Sequence, residues 1–219
     1  MTKRKYHHED LRSILVKAAS LLLEEEGMEN LTMRNLSTKV GVSRSAPYRH
    51  FQDKTALLGA VAAEGFNRLG DALACLPEED VSPLQCFRLC SCAYVRFAVS
   101  SPRLYTLMFG FELAGGAPVP ELTDSAERAF SRIVKCIISC QEELVFRRSN
   151  PMGMANVAWS SLHGLSMLLI GGAVRMASDG GRLHDLSNSL RNDPAGDVPE
   201  ICHSLVDILV RGFTSREPA

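Results

Sequence analysis

The sequence predicts an all-α protein of about nine helices: an N-terminal three-helix unit holding a helix-turn-helix (residues 1–55), then a helical body (56–219). Three observations lead there. Apolar residues recur every three to four positions in almost every segment, and helix-start and helix-stop residues punctuate those segments. No stretch shows the strict alternation of a half-buried strand. At 219 residues and 46% hydrophobic content the chain can bury a sizeable core and is too apolar for disorder, and no internal repeat is visible.

In order, Leu11, Ile14, Leu15, Ala18 and Leu22 form the stripe of a first helix, which stops at Gly27 after Glu24, Glu25 and Glu26. Thr32 is a natural N-cap for a second helix with Leu36 and Val40 on one face, and Gly41 ends it. After the Gly41-Val42 corner, Ser43 or Ser45 caps a third helix running to about Phe51; Pro47 falls in its first turn, where a missing amide is tolerated. Asp53 caps the next helix, which carries Leu57, Leu58, Val61, Phe66 and Leu69 toward Leu76 and, at over 20 residues, spans about 30 Å. The domain junction is expected along it.

Ser82-Pro83-Leu84-Gln85 reads as a capping box opening a helix to about Val99, and Ser101-Pro102 repeats the device for a short helix ending at Gly110. Residues 114–120 are a loop, 122–146 and 151–176 are long helices, and 178–199 is a polar, Gly-containing loop. Ile201, Leu205, Ile208 and Leu209 mark a final amphipathic helix.

Two short helices joined by a Gly-containing turn make a unit that lays its second helix in a DNA major groove. Here that helix offers Ser43, Arg44, Ser45, Tyr48, Arg49, His50 and Lys54, with nothing acidic before Asp53. Residues 1–55 hold ten Lys or Arg against seven Asp or Glu (+3), and 56–219 hold fourteen against eighteen (−4), as expected if only the front meets phosphate. Lys3, Arg4 and Lys5 make a basic arm that reaches along the DNA backbone or stays solvated.

The segment from Leu31 to Lys54 resembles the N-terminal domain of the TetR family of transcriptional regulators. The family pattern is met by Leu31-Thr32, Gly41-Val42-Ser43, Tyr48-Arg49-His50-Phe51 and Lys54, and continues into Leu57 and Leu58. Pro47 departs from it, standing where the family more often has an aliphatic residue. Farther on, Trp159, His163 and Gly164 resemble the Trp-His-Gly signature of one C-terminal class of that family, with Trp159 and His163 four apart on one helix face. The resemblance implies a homodimer that binds a roughly palindromic double-stranded operator, acts as a repressor and is released by a small-molecule effector it does not identify.

The DNA-binding set is therefore Thr32, Arg34, Ser43, Arg44, Ser45, Ala46, Tyr48, Arg49, His50 and Lys54. Arg44, Ser45 and Ala46 are best placed for base edges, arginine toward guanine and the alanine methyl toward thymine. Thr32, Ser43, Tyr48, His50 and Lys54 suit phosphates, and Arg49 suits either. Candidate walls for an apolar effector pocket are Phe87, Tyr94, Phe97, Tyr105, Met108, Phe109, Trp159, His163 and Met167, each of which is equally at home in a core. Leu162, Leu165, Leu169, Ile201, Leu205, Ile208 and Phe213 suit a four-helix dimer interface or an ordinary intrachain core.

Seven cysteines include Cys86, Cys90 and Cys92 on one helix and Cys136 and Cys140 four apart on another, but no C-x-x-C. Buried thiols are the plain reading, and a thiol-based redox or metal sensor on the same DNA-binding domain is the alternative. No phosphate loop or nucleophile elbow supports catalysis; a Cys/His enzyme or a helical adaptor without DNA binding would be the readings of another class. No cofactor and no resident metal are expected. The charged N-terminus is no targeting peptide, and the apolar run 155–174 is broken by Asn156, Ser160, Ser161, His163 and Ser166, so a cytoplasmic chain without a membrane span is expected.

Overall fold

The structure, a computed structural model, describes residues 11–74, 81–110, 119–173, 175–177, 183–185 and 200–214. The helices are α1 (Leu11–Glu26), α2 (Met33–Val40), a 3-10 turn (Pro47–Arg49), α3 (Lys54–Ala74), α4 (Pro83–Ser100), α5 (Pro102–Gly110), α6 (Pro120–Glu142), α7 (Pro151–Ile170) and α8 (Glu200–Thr214). The all-α class holds. The basic arm Lys3, Arg4 and Lys5 and most of the 178–199 loop lie outside the described residues.

Contacts divide the chain into two compact units, Met1–Gly65 with Arg103–Asp124, and Phe66–Pro102 with Ser125–Ala219. In the first, Leu15, Ala19, Leu22 and Leu23 of α1 are buried, as are Leu31, Leu36, Phe51, Leu57, Val61, Leu104 and Tyr105. α5 is tied to the end of α1 by reciprocal charges. The Glu24 carboxylate accepts from the Leu104 amide at 2.6 Å, and the Arg103 guanidinium donates to the Glu24 carbonyl at 2.7 Å. A carboxylate thus meets a helix N-terminus and a cation meets a helix C-terminus, the favourable pairing with both dipoles. Glu24, rather than Ser101, serves the first turn of α5.

In the second unit α4 packs on α7 and α8. Phe87, Phe146 and Phe213 form an edge-on cluster with centroids 5.3 Å (Phe87–Phe146), 5.4 Å (Phe146–Phe213) and 6.1 Å (Phe87–Phe213) apart. Such arrangements suit ring quadrupoles. Ser82 caps α4 as expected, accepting from the Gln85 amide at 3.3 Å, and Asn150 caps α7 through the Met152 and Gly153 amides.

α7 stops six residues before the expected Met176. Gly172, at φ +69°, turns the chain, with the Gly172 amide on the Leu169 carbonyl and the Ala173 amide on that of Leu168. This is the Schellman arrangement that glycine favours. Beyond it the expected absence of strands is corrected: Arg175–Ala177 (β1) pairs antiparallel with Leu183–Asp185 (β2), Met176 opposite His184. α6 likewise ends at Glu142 rather than at 146, closing with Leu144 at φ +58°. Among the described residues no helix is long and apolar enough to cross a membrane.

Candidate nucleic-acid interface

The first half of the interface is built as its sequence dictates. Thr32 is extended (φ −121°, ψ 154°) and its hydroxyl accepts from the Asn35 amide at 3.1 Å, which starts α2. Gly41 ends α2 at φ +74°, its amide on the Thr38 carbonyl while the Val42 amide reaches that of Ser37. A side chain at this φ would be strained, so glycine sets the corner. Leu36 and Ser37 are buried, leaving Arg34, Thr38 and Lys39 exposed.

The second half corrects the expectation of a helix from Ser43 or Ser45 to Phe51. Residues 44–46 form a turn and only Pro47–Arg49 is helical, as 3-10. Tight bonds define it: the Ala46 amide to the Ser43 carbonyl at 3.0 Å, Arg49 to Ala46 at 3.2 Å and His50 to Pro47 at 3.0 Å. Pro47 brings no amide, so an α-type bond back to Ser43 cannot form there. Neither serine caps by its side chain; the Ser43 and Ser45 hydroxyls lie 3.2 Å apart and bond each other.

Ser43, Arg44, Ser45, Tyr48 and Arg49 are exposed, Tyr48 at 57%, and His50 and Thr32 are half-buried. Ala46, expected at a base edge, is 9% exposed and packs inward with Pro47, so its methyl supports the turn instead of facing a groove. Lys54 is half-buried and donates to the Met28 carbonyl at 3.0 Å. Asp53 caps α3 through the Ala56 amide at 2.8 Å, as expected. From Asn30 to Gln52 there is no acidic residue and there are four cations, Arg34, Lys39, Arg44 and Arg49. Lys39, outside the expected set, is exposed and pairs with Glu25 of α1.

The effector-pocket candidates fall into two sets. Tyr105, Met108 and Phe109 lie on α5 in the first unit, with Tyr105 and Phe109 4.8 Å apart. Phe87, Tyr94, Phe97, Trp159, His163 and Met167 lie in the second. There the Trp159 indole donates to the Tyr94 hydroxyl at 3.0 Å, and its ring stands 5.7 Å from Phe130 and 6.3 Å from His163. Burial lowers the His163 pKa below its ordinary value. Phe87 packs in the aromatic cluster, and Met167 is exposed.

A cleft of about 490 Å³ opens elsewhere in the second unit, lined by Leu73, Ala74, Val81, Pro83, Arg132, Lys135 and three thiols. Those thiols converge: the Cys136 sulfur is 3.3 Å from that of Cys86 and 3.6 Å from that of Cys90. Cys140, one turn along α6, is fully buried, and burial pushes its thiol up to about 12.

Two family models match the chain: "Bacterial regulatory proteins, tetR family" over residues 15–61, and "Tetracyclin repressor-like, C-terminal domain" over 87–187. The tetracycline repressor protein class C of Escherichia coli is 45% identical over 51 residues, 23% of each chain. The nucleoid occlusion factor SlmA of Sodalis glossinidius is 29% identical over 112 residues, 51% of this chain and 54% of that one. The matches thus span from about a quarter to just over half of these curated relatives. Among solved structures, a protein of unknown function from Rhodococcus sp. RHA1 has a TM-score of 0.75 at 29% identity, covering 97% of this chain and 100% of that one. BioQ with its double-stranded DNA operator has a TM-score of 0.57 at 18% identity, covering 94% and 98%.

Proposed function

The chain belongs to the tetR family of bacterial regulatory proteins, and from that premise we propose that it is a cytoplasmic DNA-binding transcriptional regulator that represses from a roughly palindromic operator. The observation that carries this reading is the acid-free stretch between Glu29 and Asp53: a capped α2, a left-handed Gly41 corner, and exposed Arg34, Arg44, Tyr48 and Arg49. Arg44 and Ser45 read base edges, Thr32, Ser43, Tyr48, His50 and Lys54 hold phosphates, and Arg49 serves either purpose. The neighbouring fold of BioQ, crystallised on its operator, supports this use of the scaffold.

Two copies place their readers about 34 Å apart, in successive major-groove turns. Ile201, Leu205 and Ile208 recur on one face of α8, and Val157 and Leu168 are exposed on α7; this is the apolar surface we assign to the dimer. Leu162, Leu165, Leu169 and Phe213 are buried within the chain. A small-molecule effector binds the helical body and favours a spacing of the readers that fits the operator less well; only its differential affinity for the two shapes drives release. The relatives are regulators rather than enzymes.

The test is a mobility shift with genomic fragments at two salt concentrations. A regulator retards selected fragments and weakens steeply as salt rises, because each phosphate contact releases a counterion. Equal retardation of all fragments, or none, overturns the proposal.

A further inference from the structure

Cys86 and Cys90 are one helical turn apart and share a face of α4, and Cys136 comes to meet them from α6. The three sulfurs lie within 4.8 Å of one another, two of the separations being 3.3 and 3.6 Å. Among the described residues no histidine nitrogen or carboxylate oxygen joins this group. A metal bonded to sulfur at about 2.3 Å sets sulfur–sulfur edges near 3.8 Å in a tetrahedral shell and about 4.0 Å in a trigonal one. The Cys86–Cys136 and Cys90–Cys136 separations fall about 0.5 and 0.2 Å short of the tetrahedral edge, so small rotations that open side chains already in place would complete a three-sulfur shell.

We infer that Cys86, Cys90 and Cys136 form a binding site for one soft, thiophilic metal ion, held between α4 and α6. The ligand set selects the class of ion. Thiolates favour soft ions such as Cu(I), Zn(II) and Cd(II), whereas Mg(II) and Ca(II) require oxygen ligands. A disulfide would use two of the three thiols and need an external oxidant; a metal shell uses all three and needs none. The trio lines the cleft of about 490 Å³, which gives the ion a path in.

Each thiol surrenders its proton to solvent as its sulfur bonds the ion. Cd(II) therefore forms a complex of net charge minus one and releases about three protons. Arg132 and Lys135 also line the cleft, as do Glu142 and Glu143, and Arg132 stands one turn before Cys136 on α6. The site is read without DNA, so it stands or falls separately from the regulatory proposal.

The test titrates the reduced, metal-free full chain with Cd(II), following the sulfur-to-metal charge-transfer band in the ultraviolet and the mass of the intact complex. The expected result is one tightly held Cd(II) per chain. Cys136→Ser and the less buried Cys86→Ser should each weaken binding by more than the roughly 10- to 100-fold that loss of an outer-shell partner costs. Cys92→Ser should keep one tight equivalent, and circular dichroism should report all three variants folded. No band at one equivalent overturns the inference, as does wild-type affinity in Cys136→Ser and Cys86→Ser, or loss of the tight equivalent in Cys92→Ser.

Discussion

Arg44 and Lys54 are both cations of the proposed interface, but their surroundings give them different work. Arg44 is exposed on the turn after Gly41, where its planar fork is open to a guanine edge. Replacing it by alanine should weaken operator binding by about 1–3 kcal/mol and relax one base preference. Lys54 is half-buried with its ammonium on the Met28 carbonyl, a position suited to holding a phosphate beside α3. Lys54→Ala should weaken all sequences alike and lower the salt slope by about one. Competition binding with point-mutated operators separates the two; equal loss on random DNA from both variants would refute the division. His163 offers a second test at this scale. Its pKa falls below the ordinary 6.5 in the fold because burial disfavours its charged form. The unfolded chain then binds more protons in that window, so stability is full above about pH 6.5 and declines as pH drops toward the folded value. Melting temperatures between about pH 7.5 and 5.5 should fall less for His163→Gln than for the wild type.

Helix ends decide most of what distinguishes the elements from their sequence outlines. The apolar rhythm through Ala173 and Met176 predicts that α7 continues, yet Gly172 turns the chain, because a left-handed residue that satisfies the last carbonyls outweighs a few more half-buried apolar positions. α6 closes in the same manner but with a leucine: Leu144 sits at φ +58°, with the Leu144 amide on the Gln141 carbonyl and the Val145 amide on that of Cys140. A side chain there costs about 1–2 kcal/mol, and this one is 74% exposed, so it recovers little by burial. Leu144→Gly should stabilise the protein by about 0.5–1 kcal/mol after the entropy of glycine is charged against the relief. Calorimetry would show a rise of a few degrees in melting temperature; a fall would mean that Leu144 is covered in the assembled protein. Pro47 teaches the related lesson for the turn after α2, where one missing amide leaves tight bonds and a 3-10 turn in place of the expected helix.

At the scale of the whole molecule, the proposed dimer rests on the apolar surface of α7 and α8. Ile208 is 66% exposed on α8, so Ile208→Glu should leave the fold intact while separating dimers and weakening operator binding, as light scattering and mobility shift would show. Leu162, on α7 but fully buried, should behave differently: Leu162→Ala should cost about 2–5 kcal/mol of folding stability. A dimeric Ile208→Glu protein would place the interface elsewhere. Periodicity, caps and the Leu31 to Lys54 motif determined the helical class, the family and the segment proposed to face DNA, because those features depend on neighbours a few residues apart. Tertiary structure alone decided which of those residues face outward. It turned Ala46 into the core, split the aromatic pocket candidates between two units, and placed Glu24 at the first turn of α5. It also brought Cys136 to Cys86 and Cys90 across fifty residues of sequence. Contacts of that range have no period to reveal them; they exist only once apolar faces have chosen their partners by burial.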